Sequence, residues 1–195
     1  EFLLVEGKKM AKSLGNIYTL DDILKKGFNP LAFRYLCLGT HYRSKLNFTF
    51  ESLKSAQNAL ENLYEKVREL KSTKNKQRAT NNGKKYKREF LEFINDDLDT
   101  PKALALMWKL IGDQKISNKE KYKNLLDFDR IFGLGLERVK RIKIPQEIKE
   151  LVKIREEYRK EGEFEKADEI RKKIKEMGYW IEDTKEGPRI KKIKK

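Results

Sequence analysis

From Phe50 to Leu70, apolar residues recur at intervals of three and four: Leu53, Ala56, Leu60, Leu63, Val67 and Leu70. That spacing draws one stripe along one face of a long helix. A helix of this kind gains its stability from the partner that covers its stripe, so further helices are needed to build a core. Hydrophobic content of 38% against charged content of 39% suits a modest helical core under a heavily charged surface. Four prolines and the scarcity of valine argue against a large sheet. The expected fold class is mainly α.

Helix punctuation runs along the rest of the chain. Thr19 and Asp22 have capping-box spacing ahead of Ile23 and Leu24, and Gly27 closes that helix. Asn29-Pro30 supplies an N-cap and a first-turn proline for a helix that Gly39 stops. Residues 41–49 read as a connector of alternating aromatic and cationic residues. Tyr42, Leu46 and Phe48 either anchor it to the core or serve contact with a nucleic acid. Residues 72–83 carry Lys, Asn and Thr with one alanine, and read as a linker. Tyr86, Phe90, Phe93 and Ile94 mark the next buried face. Asn95 to Pro101 is an acidic turn, with Thr100 expected as N-cap and Pro101 at N1. The helix after it is apolar most of the way round and should lie centrally in a bundle, and another runs from Asn118 to about Phe132. Residues 146–177 form a helical hairpin, its first arm apolar at Ile148, Leu151, Val152 and Ile154, its second at Phe164, Ala167, Ile170, Ile174 and Met177. Glu161-Gly162-Glu163 is the turn. Tyr179-Trp180-Ile181 packs back, and residues 185–195 read as a basic tail. The expected divisions are 1–18, 19–71, 72–83, 84–138 and 139–195.

The formal net charge is +15, which favours a polyanionic partner without separating RNA, DNA and anionic lipid. No apolar run approaches the roughly 20 residues needed to span a membrane. One cysteine, Cys37, and one histidine, His41, cannot build a Cys/His zinc site. The lone cysteine suits a reducing compartment, and a core role is expected for it. The acidic turn fits no EF-hand spacing.

Gly7 to Asn16 is the stretch with the most pointed chemistry. Lys9 and Lys12 stand three apart in a loop closed by small residues, flanked by Gly7 and Gly15. Such a loop can lay two ammonium groups along a polyphosphate, and a pair of lysines in so basic a chain is also an ordinary solvated loop. Lys9 to Ser13 resembles the Lys-Met-Ser-Lys-Ser loop of class I aminoacyl-tRNA synthetases, with Ala11 where that family usually has serine. The resemblance continues at Asp21-Asp22, Asn29-Pro30-Leu31, Arg34-Tyr35 and His41 to Phe48. It runs on through Asn95 to Ala105 and Ala167 to Arg171, and over these stretches the chain resembles cysteinyl-tRNA synthetases.

The resemblance implies a mainly α architecture: a stem-contact segment at 19–71, a helical anticodon-binding bundle at 84–138, and a terminal helical hairpin with a basic tail. It makes residues 1–18 the end of a catalytic domain, with Lys9 and Lys12 as catalytic candidates. Lys9, Met10, Lys12 and Ser13 become the ATP-binding set. Arg43, Arg159, Phe164 and Asp168 are the implied tRNA contacts, Arg159 donating to a base edge or phosphate, Phe164 stacking and Asp168 accepting from an exocyclic amine. The residues alone equally allow Phe164 as a staple between the arms and Asp168–Arg171 as an intrahelical pair. The family usually has tryptophan where Phe164 stands, and Pro188 and Ile190 replace its usual threonine and tryptophan. Implied too are ATP with Mg²⁺, a zinc ion whose ligands lie upstream of Glu1, tRNA(Cys) as partner, a cytoplasmic monomer, and an N-terminal catalytic half without which this chain is inactive. The alternative is a stand-alone, non-catalytic tRNA-binding module.

Overall fold

The computed structural model describes residues 3–72, 82–140, 144–184 and 187–193. The chain divides into two compact units, Glu1–Arg141 and Ile142–Lys195. Most of the expected 72–83 linker lies outside the described residues, as do residues 141–143 of the stretch before the hairpin.

The first unit opens with a small sheet, β1 (Leu3–Val5), β2 (Lys8–Lys9) and β3 (Leu46–Phe48), in the order β2-β1-β3. β1 pairs antiparallel with β2, Val5 opposite Lys8, across a two-residue turn. Glu6 and Gly7 both have positive φ there (51° and 73°), the geometry that matches strand twist in tight hairpins. β3 runs parallel to β1, Val5 opposite Phe48. The stretch expected to be a connector therefore includes a strand, Leu46–Phe48. Phe48 is buried in the core, and Leu46 is half-buried. Tyr18, Phe28, Phe33 and Phe50 gather around Phe48 in a chain of ring contacts, fixing the sheet to the helices.

Helices α1 (Leu20–Lys25), α2 (Pro30–Leu38) and α3 (Phe50–Ser72) follow. The Thr19–Asp22 capping box forms in full, and the Asn29 side chain accepts from the Leu31 amide. α4 (Asn82–Asn95), α5 (Thr100–Gly112) and α6 (Asn118–Phe132) complete the unit. The α3 stripe is buried from Leu53 to Val67, with Leu70 half-buried, and α3 packs against α2 and α6, in one core with Ala32 and Tyr35 of α2 and Leu125, Phe128 and Phe132 of α6. Phe90 stacks on Phe128 with ring centroids 4.0 Å apart. Arg34 donates to the carbonyls of Ile131 and Phe132 at the end of α6, placing a cation at the negative pole of that helix.

At the acidic turn the cap sits one residue earlier than expected. Asp99, not Thr100, is the N-cap, its carboxylate accepting from the Lys102 amide. A carboxylate accepts from the first turn more strongly than a hydroxyl, and Thr100 is left as the first helical residue. Asp99→Ala is expected to cost about 1 kcal/mol, read as a fall of a few degrees in the thermal midpoint.

The second unit is built from α7 (Gln146–Glu161), α8 (Phe164–Glu176), β4 (Tyr179–Thr184) and β5 (Gly187–Lys192). The helical hairpin turns at Gly162, whose φ of 80° suits glycine. Within the expected basic tail, Gly187–Lys192 is in fact a strand, and residues 185–186 and 194–195 lie outside the described residues: β5 pairs antiparallel with β4, Ile190 opposite Ile181. Ile148, Leu151, Val152, Ile174, Tyr179 and Ile181 form the core. Ile154 and Met177, assigned to the buried faces from sequence, are exposed. Ile154 lies six residues beyond Ile148, which is off the stripe of a 3.6-residue period.

Candidate functional site

Two clusters carry chemistry, one in each unit. In the first unit the lysine loop leaves β2 and passes through a single 3-10 turn, Lys12–Leu14. Asn16 clasps it from both sides: its Oδ1 accepts from the Ala11 amide at 2.9 Å, and its Nδ2 donates to the Lys9 carbonyl at 3.1 Å. Gly15, left-handed at φ 61°, closes the turn onto the Lys12 carbonyl. Met10 packs against the core and anchors the loop, while Lys9, Lys12 and Ser13 are exposed. The Lys12 ammonium makes no ion pair with a described residue. The loop is therefore a shaped backbone presenting cationic side chains outward.

Also in the first unit, Arg43 is exposed but already engaged. Its guanidinium meets Asp97 at 2.8 and 3.0 Å and donates to the Tyr42 hydroxyl. Tyr42 itself donates to Asp97, and His41 stacks on Tyr42. The Tyr42 hydrogen bond, then the Arg43 charge, hold the Asp97 carboxyl below the usual aspartate range. Beside this cluster a pocket of about 480 Å³ is lined by residues including Phe33, Cys37, Leu46 and Leu98. Burial pushes the Cys37 thiol up, so it is a poor nucleophile near neutral pH.

In the second unit the hairpin tip is open. Phe164 is 62% exposed, which removes the reading that it staples the two arms. Asp168 is exposed one turn further along α8 and makes no hydrogen bond or ion pair with a described residue; it is not paired with Arg171. Arg159, exposed on α7, meets Asp183 of β4 at 2.9 Å. Asp183 is the residue that sequence reasoning missed. Arg155, only 1% exposed, grips it with both terminal nitrogens at 2.9 and 2.8 Å. The Arg155 hydrogen bonds hold the Asp183 carboxyl below the usual range. One signal was available: Arg155 continues the stripe Ile148, Leu151, Val152 at the next buried position, where an arginine needs a partner.

The comparisons bear on both clusters. Residues 1–58 match the family model for the class I (C) tRNA synthetase catalytic domain, and residues 142–188 match that for the cysteinyl-tRNA ligase anticodon binding domain. A cysteine–tRNA ligase of Borrelia turicatae is 35% identical over 210 residues, covering 98% of this chain and 44% of the relative. Those of Chlamydia felis and Leptospira interrogans are each 36% identical over 209 residues, covering 99% and 98% of this chain and 44% of the relative. The chain belongs to the cysteinyl-tRNA synthetase family. It spans less than half the length of the curated relatives it matches, corresponding to their C-terminal part. The second unit of this cysteinyl-tRNA synthetase chain, Ile142–Lys195, takes in the whole of the anticodon-binding match. Among the described residues no helix is long and apolar enough to cross a membrane, and no group of three or more His, Cys, Asp or Glu side chains is placed to hold a metal ion.

Proposed function

We propose that this chain is the tRNA(Cys)-binding, C-terminal part of a cysteine–tRNA ligase, and that its lysine loop serves the ATP side of cysteinyl-adenylate formation in the whole enzyme. The observation that carries the reading is the coincidence of a compact unit with the anticodon-binding match, together with the chemistry at its tip. An exposed phenylalanine beside an exposed aspartate that makes no hydrogen bond or ion pair with a described residue is a surface suited to splayed bases. Phe164 offers a face for stacking, Asp168 accepts from an exocyclic amine, and Arg159 donates to a phosphate or base edge. Asp183, gripped by Arg155 and Arg159, is held rigidly beside them.

At the other cluster, Lys12 and Lys9 stabilise the negative charge that develops on the triphosphate oxygens, while Met10 and the Asn16 clasp hold the loop in shape and Ser13 lies beside the phosphates. ATP with Mg²⁺ is the expected co-substrate. The cysteine-selecting zinc belongs to residues outside this chain, and the chain alone does not form the adenylate. In the first unit Arg43 acts through its grip on Asp97, shaping the surface that meets the tRNA stem. The second reading, a tRNA-binding module that works without catalysis, is favoured by the compactness of the second unit but leaves the shaped lysine loop without a task.

Filter binding of the 195-residue chain to tRNA(Cys) is expected to weaken steeply between 50 and 200 mM salt, as phosphate contacts release counterions. Phe164→Ala is expected to weaken binding by about tenfold, the loss of one base stack. In the intact ligase, Arg159→Ala and Asp168→Ala should lower aminoacylation while ATP–pyrophosphate exchange is retained. Binding indifferent to salt and to Phe164 would remove the RNA reading.

A further inference from the structure

Trp180 has no part in the tip just described, yet its surroundings are unusual for a surface tryptophan. It stands on β4 and remains 39% exposed although two cations lie against it. The Arg171 guanidinium carbon is 4.8 Å from the ring centroid and the Lys175 ammonium 5.8 Å. Lys191 stands opposite Trp180 in the strand pair, its ammonium paired with Glu182 at 2.8 Å. Arg171 is itself held in place, donating to the Ile181 carbonyl, and its buried Nε has no hydrogen-bond partner.

The placement of these cations follows from helix geometry. Phe164, Asp168, Arg171 and Lys175 occur at i, i+4, i+7 and i+11 of α8, which puts them in one row along one face. Ala167 and Ile174 occupy the neighbouring buried face. The row therefore leads from the exposed phenylalanine to the cation-flanked indole. Phe164 and Arg171 are seven residues apart, about 10 Å along the axis. That is about three stacked-base steps of about 3.4 Å each.

We infer that Trp180, with Arg171 and Lys175, is a second nucleotide platform on the anticodon-binding unit, taking a base of the same single-stranded RNA a few steps along from the one at Phe164. The inference rests on the RNA reading proposed above. An indole gives a base a larger stacking face than a phenyl ring, and stacking tolerates any base because every base has a π-face. Arg171 and Lys175 meet the negative charge of the phosphate that accompanies the base. The occupant is a nucleic acid strand rather than an apolar peptide, because the row leading to the indole is polar and cationic.

The test uses the full chain and a fluorescein-labelled 17-nucleotide anticodon-arm hairpin of tRNA(Cys). Trp108 and Trp180 are the two tryptophans of the chain, so Trp108→Phe leaves Trp180 as the single indole reporter. RNA should quench its fluorescence at the concentration at which anisotropy shows the RNA to be bound. Trp180→Ala should weaken binding about tenfold and Trp180→Phe by less, with Phe164→Ala as the reference for the tip. Binding without quenching, or a Trp180→Ala chain that binds within twofold of wild type while Phe164→Ala does not, overturns the second platform and leaves the RNA reading standing. Failure of the wild-type chain to bind the RNA removes both.

Discussion

Lys12→Ala in the intact ligase is expected to slow ATP–pyrophosphate exchange by about 10²–10³-fold while the affinity for tRNA(Cys) stays within twofold. The size of the effect comes from preorganisation. The loop backbone is clasped by Asn16 and closed by Gly15, so on the function proposed above the main chain that carries the ammonium needs no reordering to meet the triphosphate. Equal losses in exchange and in tRNA binding would show that Lys12 supports the fold or the RNA surface instead. The Ala11 position lacks a hydroxyl but leaves both lysines in place, so charge stabilisation does not depend on it. Lys12→Arg should recover part of the rate, because the charge is kept while its shape and reach change.

Asp183→Ala is expected to destabilise the second unit by about 2–3 kcal/mol. Removing one partner of a buried ion pair typically costs about 3–5 kcal/mol, because the other charge is left uncompensated. Here the loss is smaller, since only Arg155 is buried, solvent screens the 41% exposed Asp183 carboxylate, and Glu156 still accepts a hydrogen bond from Arg155. In a unit this small, that should lower its thermal midpoint by roughly 10–20 °C, followed by circular dichroism. The pH dependence has a definite sign. Asp183 is held below its ordinary range by Arg155, so its contribution is complete above the unfolded aspartate value of about 3.9. It is lost as pH falls through the lower folded value. The wild-type unit should weaken in acid across that window, and Asp183→Ala should flatten this part of the profile. An unchanged acid limb would mean that the pair contributes no net stability.

What the sequence revealed, and what it hid, divides along the range of the forces involved. Local chemistry was legible: the Thr19–Asp22 box and the Asn29-Pro30 start need only neighbours a few residues away. The α3 stripe was legible because burial repeats with the helix period. β3 was not, because three residues form a strand only through Leu3–Val5, far upstream. β5 was hidden by its lysines, which make an edge strand look like a solvated tail. At the candidate clusters, the loop and the tip residues were singled out through resemblance. Asp183 was invisible because its role depends on Arg155 and Arg159 reaching it from another element.

Between α4 and α5, Asp97 and Leu98 both take left-handed backbone angles, with φ of 53° and 55°, and Asp97 is fastened to Tyr42 and Arg43. Surface bends between helices are normally the places where a chain accepts an epitope, a fluorophore sequence or relocated ends. This bend is closed to such engineering, because one added residue would carry the carboxylate away from its tether. Grafts into this protein belong elsewhere, as at Glu161-Gly162-Glu163, where the side chains are exposed and no such tether is broken.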